Sequence, residues 1–341
     1  MYHDATMQET DVIIVGAGPI GIELAVTLKR AGVDSLHFEA GQIGQTIFNW
    51  PRFTRFLSNP ETLAIAGVPT TSVGQDRLTG EEYLAYLRGV VRQFDLNIAT
   101  YHRVVDIAAD QGGFTVKTLS PRGESDYRCR RIVLAVGDMA ANKRLGVPGE
   151  DLPHVRHWYT DPHEFFGKRV LIVGGRNTAV EAALRCHRIG AEVTLSYRRA
   201  QIDPLLTSHK LGPLIEDLIS GGHVRFLPET LPVAFTTAGA TLAAVDLSGR
   251  PADLGRFEED ADFVLVLVGF TADTRLFDLA GVTFTGPEGS PTCNPETMET
   301  NIPGVYVAGT AAVAGQQGHS LFIETSHAHV EKIARALQGD R

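Results

Sequence analysis

The chain has 341 residues, 43% of them apolar and 21% charged, and a formal net charge of −9. Length suggests two domains with a substantial core, and the composition is that of a soluble globular protein. The acidic balance argues against nucleic acid as a partner, which needs a basic face. No apolar run is long enough to span a bilayer, and Met1–Thr10 is polar with no signal-peptide apolar core, so a cytoplasmic protein without a membrane partner is expected. The three cysteines, Cys129, Cys186 and Cys293, form no C-x-x-C, which speaks against a disulfide scaffold, a redox dithiol and a zinc site; no metal is expected.

The first element is the strand Asp11-Val12-Ile13-Ile14-Val15, followed by Gly16-Ala17-Gly18-Pro19-Ile20-Gly21 and a helical pattern. Gly16, Gly18 and Gly21 stand in G-x-G-x-x-G spacing. The first glycine allows the sharp turn, the second lets backbone approach a pyrophosphate, and the third lets the helix pack close to the strand. A second strand, Ser35–Phe38, ends at Glu39, which is placed to accept hydrogen bonds from a ribose. Pro19, Ile20, Ala40 and Gly41 join the same set of cofactor-contact candidates. The loop Gly41–Pro51 carries Gln45 and Trp50, suited to lie along a flavin, although Trp50 equally fits a core plug. Arg52 and Arg55 suit either an anionic ligand or solvent.

Thr79-Gly80-Glu81-Glu82 is a capping box and opens an amphipathic helix to about Gln93. Strand-like runs at His102–Ile107, Phe114–Leu119 and Tyr127–Val136 read as an antiparallel meander, with Val104 a further contact candidate and Gly137 just past its end. After a linker from Met139 to about Pro153 the opening pattern recurs: strand Arg169–Val173, loop Gly174-Gly175-Arg176-Asn177-Thr178, helix Val180–Ile189, strand Ala191–Tyr197. This second unit ends in Arg198-Arg199 where the first ends in Glu39. An acid suits a free ribose hydroxyl, whereas paired arginines suit a 2′-phosphate. The first unit is therefore expected to hold FAD and the second NADPH. Arg176 takes the place of the middle glycine, so its Cβ restricts close backbone approach while its guanidinium can meet a phosphate. A helix at Leu211–Ile219 and strands at Val224–Leu227, Leu231–Thr236, Leu242–Leu247 and Asp262–Val268 follow. The strand Gly304–Thr310 and a final amphipathic helix, Leu321–Leu337, close the chain, with Gly309 and Thr310 placed to meet a flavin phosphate.

The two fingerprints, Leu134-Ala135-Val136-Gly137 and Val305-Tyr306-Val307-Ala308-Gly309 together make nearly the whole chain similar to the thioredoxin-reductase-like flavoproteins. That resemblance implies an α/β fold of two Rossmann-like, three-layer ββα domains, with an NADPH domain (141–265) inserted into an FAD domain (1–140 and 266–341). It implies that Gly16, Gly18, Gly21 and Glu39 hold the ADP half of FAD, Gly137 flanks it, and Gly309 and Thr310 lie by the ribityl chain. Gly174, Gly175, Asn177, Thr178, Arg198 and Arg199 would hold NADPH. Two departures narrow the branch: Val155–Pro162, where thioredoxin reductases carry their dithiol, has no cysteine, and Ala308-Gly309-Thr310 replaces Ala-Gly-Asp. The segments His157–Tyr159, Gly174–Leu184 and Phe322–Glu324 resemble the bacillithiol-disulfide-reductase-like (YpdA-type) branch, in which a basic residue at Arg176 is usual. Some members place a redox cysteine in the first Gly motif; this chain has Ile20 there.

The implied activity is an FAD-dependent NADPH oxidoreductase acting on a low-molecular-weight disulfide or another small electron acceptor, as a homodimer or other homo-oligomer. Without a cysteine at Ile20, the flavin itself or a substrate thiol would complete the reaction. Alternatives are a ferredoxin or flavodoxin reductase, whose usual C-terminal aromatic extension has no counterpart in Ala334–Arg341, and a non-catalytic flavin-binding sensor. For a proton donor to a leaving thiolate the candidates are Glu324 with a nearby histidine such as His319; capping or core packing is the alternative role for these histidines.

Overall fold

The structure is a computed structural model and describes residues 7–205, 207–246, 249–252, 255–285, 289–313 and 321–339. The chain divides into two compact units, Met1–Ala140 with Thr271–Arg341, and Ala141–Phe270.

The first unit opens with β1 (Gln8–Val15), α1 (Pro19–Arg30) and β2 (Ser35–Phe38). Val12, Ile13 and Ile14 are fully buried, as expected of a strand covered on both faces. β1 pairs in parallel with β2, and Ile98–Ala99 extends the sheet beside β2. Between them lies α2 (Gly80–Gln93). Its capping box is complete: Thr79 Oγ1 accepts from the Glu82 N–H and Glu82 Oε2 accepts from the Thr79 N–H. Tyr83, Leu87 and Val90 form its buried face, against Phe56, Leu63 and Leu78.

The meander is β3 (Arg103–Asp110), β4 (Gly113–Ser120) and β5 (Gly123–Leu134), paired antiparallel in sequence. The second half of β5 also runs parallel to β1, which joins the meander to the parallel strands in one seven-stranded sheet.

The second unit repeats the pattern with β6 (Arg169–Val173), α3 (Asn177–Arg188) and β7 (Glu192–Tyr197), then α4 (Gly212–Ser220) and β8 (Val224–Pro228). β9 (Thr230–Thr236), β10 (Gly239–Ala244) and β11 (Phe257–Asp260) make a small antiparallel sheet. β12 (Phe263–Val266) returns parallel beside β6. Leu267 donates its N–H to Val173 and packs in this unit's core, so the unit runs on to Phe270, beyond residue 265, where the sequence places the return. β11 reads Phe-Glu-Glu-Asp and carries no apolar alternation. It is an edge strand whose inward acid, Glu259, is held by Arg225 at 2.9 Å and Thr194 at 3.1 Å.

The chain closes in the first unit with β13 (Val305–Val307), parallel to β5, and α5 (Ile323–Gly339), which packs on α1. The architecture is α/β with two Rossmann-type units; the antiparallel strands continue the main sheet in the first and form a separate small sheet in the second. Replacing Thr79 by Ala removes one half of the capping box. It is expected to lower the stability of the first unit by about 1 kcal/mol, while Thr79→Ser stays near wild type; urea denaturation checks both.

Candidate dinucleotide sites

The first cradle sits where β1 turns into α1. Gly16 has φ +104°, and a Cβ there would collide with the Ala135 carbonyl. A Cβ on Gly21 would collide with the Gly16 carbonyl, so this glycine sets how closely the helix crosses the strand. Gly18 is different. Its backbone is extended, at φ −73° and ψ −179°, and a Cβ would meet nothing within 4 Å. No protein contact requires a glycine there. Gly18 is also the N-cap of α1 and provides no side-chain cap, with Pro19 following. Open space beside uncapped N–H groups at a helix start is what a pyrophosphate needs, so the residues present fit that group.

Glu39 is 9% exposed. Its Oε2 accepts from the Ala17 N–H and its Oε1 from the Gly41 N–H, both at 2.7 Å. Each oxygen keeps lone-pair capacity for a ribose hydroxyl. The structure brings five further candidates to the same unit. Ile20 lies against Gly309, whose built Cβ would be 3.5 Å from it, and Gly137 approaches the Thr310 hydroxyl at 3.8 Å by the same measure. Ala40 is exposed beside Glu39.

Other candidates have internal duties. Gln45 closes its own loop, accepting from the Gln42 N–H at 2.8 Å and donating to Asn49 at 2.9 Å. Trp50 packs on Phe56 with ring centroids 4.7 Å apart, and Val104 is buried in the main core of the unit.

The second cradle solves the same turn differently. A Cβ on Gly174 would collide with the Leu267 carbonyl, and one on Gly175 with the Tyr197 ring, so both glycines answer to protein packing. Arg176 is the N-cap of α3, extended at φ −103° and ψ −176°, and an L-residue sits there without strain. Asn177 Oδ1 accepts from the Ser208 N–H at 2.7 Å, folding the following loop over the turn. Thr178 lines a small cavity with Asn142, His157, Trp158 and Phe270. His157 is itself oriented by buried Glu150 at 2.8 Å. Beyond β7, Arg198 is exposed, and Arg199 pairs with Asp203 at 2.5 Å.

His319 lies outside the described residues. Glu324 accepts from the Ser58 hydroxyl at 2.7 and 2.9 Å. His327 Nδ1 is 2.7 Å from Glu23 and its Nε2 is 3.4 Å from the Thr62 carbonyl, so both ring nitrogens face acceptors. The Glu23 hydrogen bond holds its pKa above the ordinary value. His329 does the opposite: its Nδ1 accepts from the Gly309 N–H at 3.2 Å, and burial holds it neutral. Sequence reading passed over Glu23, Ser58 and His37. The signal for Glu23 was only a polar residue on an otherwise buried helix. The signal for His37 was its alternation with Glu39 on one strand.

All three cysteines are free. Burial pushes the Cys129 and Cys186 thiols up to about 12 and raises that of Cys293.

A family model for pyridine nucleotide-disulphide oxidoreductases matches residues 13–309. The chain belongs to this family. Bacilliredoxin reductase Bdr of Bacillus subtilis (strain 168) is 31% identical over 332 residues, covering 97% of this chain and 98% of that protein. A solved structure of bacillithiol disulfide reductase Bdr (YpdA) from Bacillus cereus superposes with a TM-score of 0.91 at 29% identity, over 98% of this chain and 100% of that one. A ferredoxin–NADP reductase of Ignicoccus hospitalis is 28% identical over 88% of this chain and 89% of that protein. Its fold is that of the thioredoxin reductases, and the cofactors of this pyridine nucleotide-disulphide oxidoreductase are FAD and NADPH.

Two expectations follow from the geometry. Gly18→Ala should leave the thermal midpoint of the flavin-free protein unchanged but weaken FAD binding at least tenfold, whereas Gly21→Ala should lower the midpoint itself; apoprotein titration and calorimetry separate them. For His327 the folded pKa lies above the unfolded one. Its stabilisation is therefore complete below the ordinary value of 6.5 and is lost as pH rises through the raised one. The midpoint difference between wild type and His327→Gln should shrink from pH 6 to pH 9.

Proposed function

We propose that this chain is an NADPH-consuming flavoprotein reductase of a low-molecular-weight disulfide, of the bacillithiol disulfide class. The overall balance is one hydride and one proton added to one S–S bond, giving two thiols and NADP⁺. Bound FAD supplies the two-electron relay between nucleotide and disulfide. The observation that carries the reading is the pair of strand-turn-helix cradles with opposite ribose chemistry: buried Glu39 after the first, exposed Arg198 and paired Arg199 after the second.

On this reading Gly16, Gly18 and the N–H groups following Pro19 take the FAD pyrophosphate, and Glu39 takes the adenosine ribose. Gly137, Gly309 and Thr310 bound the remainder. In the other unit, Arg176 and the start of α3 take the NADPH pyrophosphate while Arg198 and Arg199 select the 2′-phosphate. Glu324, engaged with Ser58, and the neighbouring histidines stay candidates for holding the proton that the leaving thiolate needs. The relatives named bacillithiol disulfide reductase support the substrate class. The reading also takes the protein to be a cytoplasmic homo-oligomer with no nucleic-acid or membrane partner. No helix among the described residues is long and apolar enough to cross a membrane.

The test is anaerobic stopped-flow spectroscopy. NADPH should bleach the flavin, and bacillithiol disulfide should restore its absorbance with release of two thiols. Reoxidation by ferredoxin alone would overturn the substrate assignment and leave the reductase assignment standing. Arg198→Ala should raise KM for NADPH about 10- to 100-fold, the worth of one charge-assisted phosphate contact, and leave KM for NADH unchanged.

A further inference from the structure

His37 is a buried histidine on β2, two residues before Glu39, so the two side chains leave the same face of the strand. Its Nε2–H donates to the Gly16 carbonyl at 2.9 Å. A carbonyl can only accept, which fixes the proton on Nε2. Nδ1 is then a bare acceptor, buried with no hydrogen-bond partner among the described residues. Burial pushes the ring's pKa down to about 4, so it is neutral at pH 7. An orphaned buried nitrogen is unfavourable, and an aliphatic residue would fill this strand position without it. What the imidazole adds is the single bond to Gly16.

That bond acts on a particular peptide. The Gly16–Ala17 plane is gripped at both ends by the end of β2: His37 holds its C=O, and Glu39 Oε2 holds its N–H at 2.7 Å. Gly16 lacks the Cβ that would restrict rotation of this plane, so nothing intrinsic fixes it. A rotated plane would carry the Ala17 N–H away from the carboxylate. Glu39 would then be anchored only through the Gly41 N–H.

We propose that His37 is a positioning residue of the FAD site: by clamping the Gly16 carbonyl it fixes the Gly16–Ala17 peptide, and through the Ala17 N–H it sets the ribose-facing carboxylate of Glu39. This deepens the assignment of the first cradle to FAD. A wild-type apoprotein that takes up no FAD would sink that assignment before any variant is compared.

The experiment titrates flavin-free protein with FAD and follows flavin fluorescence, with the thermal midpoint of each apoprotein measured in parallel. His37→Leu keeps the bulk and loses the donor; His37→Gln keeps an N–H able to reach Gly16. The Leu variant should bind FAD about tenfold more weakly at an unchanged apoprotein midpoint, and the Gln variant should recover to within about threefold of wild type. Because His37 acts through Glu39, adding Glu39→Gln to His37→Leu should weaken binding by a smaller factor than Glu39→Gln does alone. The proposal is overturned if Leu binds FAD as wild type does, if Gln rescues nothing, or if the two substitutions multiply independently. Should His37→Leu fail to fold, the same cycle run with His37→Met, which likewise lacks the donor, and Glu39→Gln decides the matter: independent effects sink the coupling.

Discussion

The first unit depends on one close crossing. Gly21 lies against the Gly16 carbonyl with no room for a Cβ between them. This contact sets the angle at which α1 leaves the sheet and hence where its N–H groups point. The crossing is stiff because its surroundings are packed. β1 is buried and paired on both sides, and α1 presents Ile22, Leu24 and Leu28 fully buried. A helix start fixed this way is a fixed partial positive charge, which is worth most where water is displaced from it. The open space at Gly18 is the one part of the turn that protein packing does not use.

The second cradle shows which parts of the pattern are structural. Gly174, like Gly16, fits the turn only as glycine, because the carbonyl of a neighbouring strand end occupies the Cβ position. The N-cap position is extended in both cradles, so glycine is not demanded there by φ, and Gly18 can be exchanged for Arg176 at no backbone cost. The exchange trades close approach for a charge. Together with Arg198 and Arg199 it places three guanidinium groups on the elements around one turn in a chain of net charge −9. Asp203 offsets part of this through its pairing with Arg199. On the proposed reading a dianionic 2′-phosphate would compete with that carboxylate for Arg199.

The parts legible in the sequence were those with a local physical cause. The β1 turn, the Thr79–Glu82 capping box and the repeated pattern at Arg169–Tyr197 each follow from spacing within a few residues. β11 was not legible, because Phe-Glu-Glu-Asp carries no apolar alternation and Glu259 is stabilised inside only by Arg225 and Thr194, distant in sequence. The cradle glycines could be named, but not the reason for each, since that depends on Ala135, Leu267 and Tyr197 arriving from elsewhere. His327 and His329 stand two apart on α5 and so face apart. Their pKa shifts run in opposite directions: the hydrogen bond to Glu23, distant in sequence, raises that of His327, and burial lowers that of His329.

The thiols constrain the chemistry from the other side. A thiol with a pKa near 12 is ionised in roughly one molecule in 10⁵ at pH 7, and only the thiolate attacks a disulfide. Cys129 and Cys186 are therefore packing residues, and no C-x-x-C is present to couple them to a partner. Ile20, 7% exposed and set against Gly309, puts a branched apolar surface inside the turn. An aliphatic side chain cannot form a mixed disulfide there. It can exclude water and lower the local dielectric beside the turn, which strengthens every fixed dipole aimed at the same space. On the proposed reading, two-electron transfer relies on the substrate's own sulfur and on the placement of the bound groups, with neither Cys129 nor Cys186 in between.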